Sequence, residues 1–234
     1  MNLLVAIKKN IPNTITCLNL LCGALACIFA LKFDEEVLWG IEAYRAAFIM
    51  IAMAAVFDFL DGFAARLLNV VSAIGKELDS LCDCVSFGLA PGLIMYAMMQ
   101  ASSPDSWLCY SALLIPIMGA VRLAKFNVDT RQATSFIGMP IPANAIFWIG
   151  FASWYANNLN TPLWVVIPLI VVVSLLMVSN IPMFSLKVKN LNFKQNYKAY
   201  FLVLAFFLFI FTSGLPGMAW TIIFYVLASI VDKD

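Results

Sequence analysis

The chain has 234 residues, 63% of them hydrophobic and only 12% charged, with a formal net charge of +1. A soluble domain carries about half apolar and about a quarter charged residues, so this much apolar surface needs lipid to cover it. The near-neutral balance gives no reason to expect a nucleic-acid partner. The chain has six cysteines without a CxxC pair and no histidine, which argues against a zinc or haem centre and removes the commonest general base.

The first ten residues place Leu3, Leu4 and Ile7 on one helical face, continued by Ile11, with Lys8 and Lys9 beside it. This predicts a short interfacial helix lying on the membrane. Pro12 suits the first turn of the next helix. The apolar run to Leu31 is long enough to stay as a span rather than be cleaved as a signal. Eight hydrophobic helices are predicted, at 13–31, 42–67, 75–101, 106–127, 141–157, 161–180, 197–212 and 215–231, the last two being short. Charged and turn-forming residues separate them: Asp34, Glu35 and Glu36, then Asp129, Arg131, Gly138 and Pro140, then a Lys- and Asn-rich stretch at 181–196. Cys17, Cys22, Cys27, Cys82, Cys84 and Cys109 all fall in apolar stretches and read as small hydrophobes. The expected fold is all-α: one polytopic membrane bundle over 1–234 with about eight transmembrane helices.

Lys and Arg set the expected orientation. With the N-terminus in the cytoplasm, Lys8, Lys9, Arg66, Lys76, Arg122, Lys125, Arg131, Lys187, Lys189, Lys194, Lys198 and Lys233 lie at the cytoplasmic side, and only Lys32 and Arg45 lie opposite. The expected location is the cytoplasmic (inner) membrane, with the lysines at 187–198 facing anionic lipid.

The second and third helices carry residues that lipid rejects. Asp58 and Asp61 are three apart and Asp79 and Asp83 four apart, so each pair shares a helical face. A carboxylate in mid-span costs about 2.5–3.5 kcal/mol on insertion scales and normally faces an interior site. Asp58 precedes Arg66, and Asp83 follows Gly75, by the same interval of eight residues. At about 1.5 Å per residue, both carboxylates lie roughly 12 Å in from one membrane face. Antiparallel helices therefore bring the aspartates to matched depth, where a pair of divalent cations, Mg2+ or Mn2+, would neutralise them. The competing reading, aspartates salt-bridged to Arg66, Lys76 and Arg122, leaves the two matched pairs unexplained. Gly62 and Gly75 allow a ligand or backbone to come close.

The pattern D-x2-D-G-x2-A-R-x8-G-x3-D-x3-D, formed by Asp58, Asp61, Gly62, Ala65, Arg66, Gly75, Asp79 and Asp83, closely resembles the signature of the CDP-alcohol phosphotransferases. The flanking stretches PNTITCLNLLCG, SLCDCVSFGLAPG, RLAKFN and FIGMPIPAN resemble the branch of that family that uses L-serine as acceptor. The resemblance covers a catalytic core at about 11–145, with the motif at 58–83; residues 146–234 add further membrane helices. It implies transfer of a phosphatidyl group from CDP-diacylglycerol to L-serine, releasing CMP. It also implies metal ligation by Asp58, Asp61, Asp79 and Asp83, with Asp83 as the catalytic base. Contacts to CDP-diacylglycerol are implied for Asn13, Thr14, Ile15, Thr16, Gly62, Arg66 and Ser72, and a homodimer for the assembly.

Several of these residues have plainer readings. Asn13, Thr14 and Thr16 suit a helix cap. Arg66 and Arg122 suit cytoplasmic anchors, and Ser72 suits a turn. Arg122, Lys125 and Asn127 are the candidates for serine binding, since a guanidinium pairs well with a carboxylate. The alternatives to serine are another acceptor (glycerol 3-phosphate, inositol phosphate or choline), a divalent-cation transporter, or a lipid-binding protein without activity. Both halves of the motif approach one membrane face and leave no acidic path across, which disfavours transport.

Overall fold

A computed structural model of the chain describes residues 3–37, 40–70, 73–129, 136–184 and 193–231. Helix α1 spans Leu3–Leu31 and runs unbroken through Pro12. The expected separate interfacial helix and restart at Pro12 are therefore corrected. Proline removes one backbone donor without having to end a membrane helix, because neighbouring groups re-satisfy the freed carbonyls. The helix cap expected of Asn13, Thr14 and Thr16 goes with it. These residues lie well inside α1, where the hydroxyls of Thr14 and Thr16 donate back to the carbonyls of Asn10 (2.9 Å) and Pro12 (3.0 Å).

A two-residue ribbon, β1 (Glu36–Val37) against β2 (Ile41–Glu42), turns the chain into α2 (Ala43–Leu68). At this end Lys32 pairs with Glu35 at 2.7 Å and Arg45 with Glu42 at 2.6 Å. The two cations that stand apart in the charge pattern are thus each matched by an acid three residues away. Asn69, with φ of 51°, stops α2 in a left-handed turn.

The next span, Ala73–Ser102, is one helical rod with an irregular centre: α3 (Ala73–Asp83), a π-helical segment (Cys84–Leu89) and α4 (Ala90–Ser102). A 3-10 stretch (Trp107–Leu113) leads into α5 (Leu114–Val128). Then come β3 (Phe136–Ile137), α6 (Ile141–Tyr155), α7 (Leu163–Val178), β4 (Pro182–Met183, antiparallel to β3), α8 (Phe193–Ser213) and α9 (Gly217–Val231).

All eight predicted hydrophobic segments fall on helices. Among the described residues, five helical stretches are long and apolar enough to cross a membrane: Asn10–Leu31, Ala43–Leu68, Ala73–Ser102, Trp107–Val128 and Asn196–Ser213. Helix α7 is shorter than the predicted 161–180, because Pro162 precedes it and the chain turns extended at Ser179.

The most extensive helix contact is α1 with α2, and α1 also packs on α3, the π segment and α4. Ala26 and Ala30 of α1 and Ala47 and Ala54 of α2 are completely buried. Small residues of this kind let membrane helices come close, where lipid offers no hydrophobic force to drive them together. Phe87, Met95, Ile115, Ile141 and Trp148 fill the centre. There Asn144 donates to the Phe87 carbonyl of the π segment at 3.0 Å and accepts from Trp148 Nε1 at 2.8 Å. Helix α9 packs on α6 and α8, while Leu204, Phe207, Leu208 and Phe211 of α8 face outward, as a lipid-facing surface requires. The six cysteines are unpaired.

Candidate active site

Helices α1, α2 and α3 enclose the site. Asp58 and Asp61 come from α2 and Asp79 from α3, and one carboxylate oxygen from each lies within 4.8 Å of the others. Asp61 is 7% exposed, and buried atoms Asp61 Oδ2 and Asp79 Oδ1 have no hydrogen-bond partner. Neither ion pair among the described residues involves these carboxylates, so the salt-bridge reading finds no support. Lys76, one of the cations it needs, instead donates Nζ to the Asn127 carbonyl at 3.2 Å. Three crowded carboxylates with orphaned oxygens in an apolar bundle fit a hard divalent cation bound through oxygen.

Asp83 lies one turn beyond Asp79 and is buried, yet it stands outside this three-carboxylate group. Its Oδ1 accepts a hydrogen bond from Asn19 Nδ2 of α1 at 3.2 Å. Sequence spacing placed four aspartates together; the structure distinguishes three clustered carboxylates from a fourth held by an amide.

A cavity of about 620 Å3 opens beside the cluster, lined by Asn13, Thr16, Asp61, Gly62, Arg66, Lys76 and Asp79 among others. A Cβ at Gly62 would meet only Arg66 Nη1, at an ordinary 3.8 Å, so no protein neighbour demands a glycine there. Its bare backbone lines the open side, toward the cavity. Thr14 and Ile15 do not line this cavity, and Thr14 is exposed on α1. Ser72 lies outside the described residues.

A second cavity, about 220 Å3, is lined by Arg122, Lys125, Asp129, Ser179 and Asn180 among others. Arg122 is 6% exposed, its Nε has no partner, and its guanidinium carbon lies 4.9 Å from the centre of the Phe126 ring. Lys125 Nζ donates to the Val178 carbonyl at 3.0 Å. Asn127 is not part of this lining. Its amide donates to Ser80 Oγ of α3 at 2.9 Å, which makes it a tie between helices.

Asn19 is the residue that spacing arguments passed over. Its signal was present: a third polar side chain at an interval of three after Asn13 and Thr16, within an apolar span.

A helical membrane bundle with clustered carboxylates beside a cavity lined by glycine and arginine is a membrane-embedded site suited to a divalent cation and a phosphate-bearing ligand. The family model described as CDP-alcohol phosphatidyltransferase matches residues 9–186, and the chain belongs to that family. Among its relatives, the CDP-diacylglycerol--serine O-phosphatidyltransferase of Mycobacterium leprae is 33% identical over 209 residues, 83% of this chain and 64% of the relative. The protein of the same name from Helicobacter pylori is 32% identical over 229 residues, 94% of this chain and 89% of the relative. That from Bacillus subtilis is 41% identical over 133 residues, 56% of this chain and 69% of the relative. The chain spans between 60% and 64% of the length of the mycobacterial relatives it matches.

Proposed function

We propose that the chain transfers the phosphatidyl group of CDP-diacylglycerol to the hydroxyl of L-serine, giving phosphatidylserine and CMP. The observation that carries this reading is the Asp58–Asp61–Asp79 cluster, with its orphaned oxygens, beside the cavity formed by Gly62 and Arg66. The relatives' names supply serine as the acceptor.

Asp58, Asp61 and Asp79 would hold Mg2+ or Mn2+, with Asp83 contributing to a second ion. Bound there, such ions supply Lewis-acid stabilisation of the pyrophosphate and of the oxygen that leaves with CMP. Arg66 binds phosphate oxygens at the cavity wall, and Gly62 lets the diphosphate lie against α2. Asn13 and Thr16 border the same space from α1. Asp83 takes the proton from the serine hydroxyl. The oxygen attacks the diacylglycerol-bearing phosphorus, the bond from that phosphorus to the bridging oxygen breaks, and CMP departs with the electron pair.

Arg122, buried at the second cavity with its Nε lacking a partner, receives the serine carboxylate, and Lys125 lines the same space. A phosphate-bearing acceptor such as glycerol 3-phosphate offers Arg122 similar chemistry, so acceptor identity is the part of the reading most exposed to test. The excess of Lys and Arg at one end of the helices supports a site facing the cytoplasm from the inner membrane. A homodimer through the membrane helices completes the reading.

The test is CMP release by purified protein given CDP-diacylglycerol and Mg2+ or Mn2+ with L-serine, glycerol 3-phosphate, inositol phosphate or choline, one at a time. Serine-dependent release with phosphatidylserine as product is the expected result. Release that ignores serine, or that follows another acceptor, overturns the assignment.

A further inference from the structure

Asn19 sits on α1 one turn beyond Thr16 and is completely buried. An amide inside an apolar span is costly unless its polar atoms find partners, so its presence needs a reason. Nδ2 donates to Asp83 Oδ1 at 3.2 Å, while Oδ1 has no partner. The amide is thus committed to the carboxylate at the expense of its own second half. With the amide reversed, its oxygen would face the Asp83 carboxylate, setting two acceptors against each other.

The backbone around Asn19 is fixed as well. Its carbonyl accepts from Ser86 Oγ at 3.1 Å, tying α1 to the π segment directly after Asp83. Gly23, one turn further along α1, makes room for this contact: a Cβ there would overlap Ser86 Oγ and crowd the Ser86 backbone. Both ends of the Asn19–Asp83 bond are therefore anchored through the same serine.

We infer that Asn19 is a positioning residue for the transfer reaction, holding Asp83 by one carboxylate oxygen so that the other is presented to the acceptor hydroxyl. The inference rests on the reading of Asp83 as base. An amide suits this task because it fixes one carboxylate oxygen by a directional hydrogen bond and adds no charge to the site. Proton transfer needs heavy atoms within about 2.6–3.2 Å and aligned, so a carboxylate free to rotate loses rate without losing substrate.

The experiment compares Asn19→Leu, close in volume but lacking the amide, with Asn19→Asp, which keeps the shape and replaces the neutral amide by an acid that either repels the Asp83 carboxylate or shares its proton. For each purified variant, thermal unfolding, CDP-diacylglycerol binding, and kcat and KM for serine are measured. A fall in kcat of about tenfold to a hundredfold is expected in both, with serine KM and CDP-diacylglycerol affinity held within about threefold. A folded variant with kcat within about twofold of the parent overturns the inference, as does a loss that appears only as weaker CDP-diacylglycerol binding. If Asn19→Leu unfolds, Asn19→Asp and its KM-against-kcat split decide. Asp83→Asn is run beside them. Normal turnover by Asp83→Asn removes the base reading and this inference together; an inactive Asp83→Asn beside active Asn19 variants removes this inference alone.

Discussion

Asp61 and Asp83 are both buried carboxylates in an apolar bundle, but their surroundings give them different tasks. Asp61 stands in the three-carboxylate group with an unpartnered oxygen, whereas Asp83 is held by an amide outside it. Asp61→Asn should therefore abolish stabilisation by added Mg2+ or Mn2+ in a thermal unfolding assay and reduce turnover by at least about a hundredfold. Asp83→Asn should reduce turnover by a similar factor while CDP-diacylglycerol still binds; binding and CMP-release assays on one preparation separate the two cases. Arg122→Ala should raise the serine KM by about tenfold or more and leave CDP-diacylglycerol affinity unchanged, since the residue lines the second cavity and not the first. The aspartates were legible in the sequence because helical spacing fixes which side chains share a face. The bond from Asn127 to Ser80 was not legible, because a residue at the end of a helix can turn toward either neighbour and only three-dimensional packing decides.

Between elements, the tie from α3 to α5 connects the two cavities. Lys76 Nζ reaches the Asn127 carbonyl and Asn127 Nδ2 reaches Ser80 Oγ, so the helix bearing Asp79 is fastened to the helix bearing Arg122. Asn127→Ala removes the side-chain half of this clasp. The expected outcome is a loss of about 0.5–1.5 kcal/mol in stability, read as a lowered Tm, and a modest rise in serine KM with little change in kcat. Hydropathy located the helices because a lipid-crossing segment has few alternatives. It gave no warning that α1 continues through Pro12, since sequence alone does not say whether a proline opens a helix or is absorbed within one. The position of α1 against both α2 and α3 was equally hidden, because the aspartate spacing needed only two helices.

For the molecule as a whole, a bundle that gathers carboxylates without cationic partners is less stable without an ion than with one. Anything that binds the folded state alone raises its stability in proportion to the logarithm of concentration over Kd. Mg2+ or Mn2+ should therefore raise the thermal midpoint of the detergent-solubilised protein, by about 2.7 kcal/mol of added stability at a concentration a hundredfold above Kd. A midpoint indifferent to both ions across the millimolar range would contradict a metal site in this cluster. Charge placement was legible at this scale in its simplest form: Lys32 and Arg45, which break the pattern, each form an ion pair with an acid three residues away.

The π-helical segment Cys84–Leu89 gives the third membrane span a local tolerance in length. A π turn accommodates one residue more than an α turn without changing the direction in which the flanking helices face. Deleting one residue inside this segment should let it relax to α geometry, with α3 and α4 keeping their angular phase and the Ser86 latch lost. The same deletion in the middle of α4 would rotate everything beyond it by about 100° and turn buried Met98 and Met99 out of the core. Paired deletions compared by yield and thermal midpoint would show the rod accepting a shorter frame only where it passes the site.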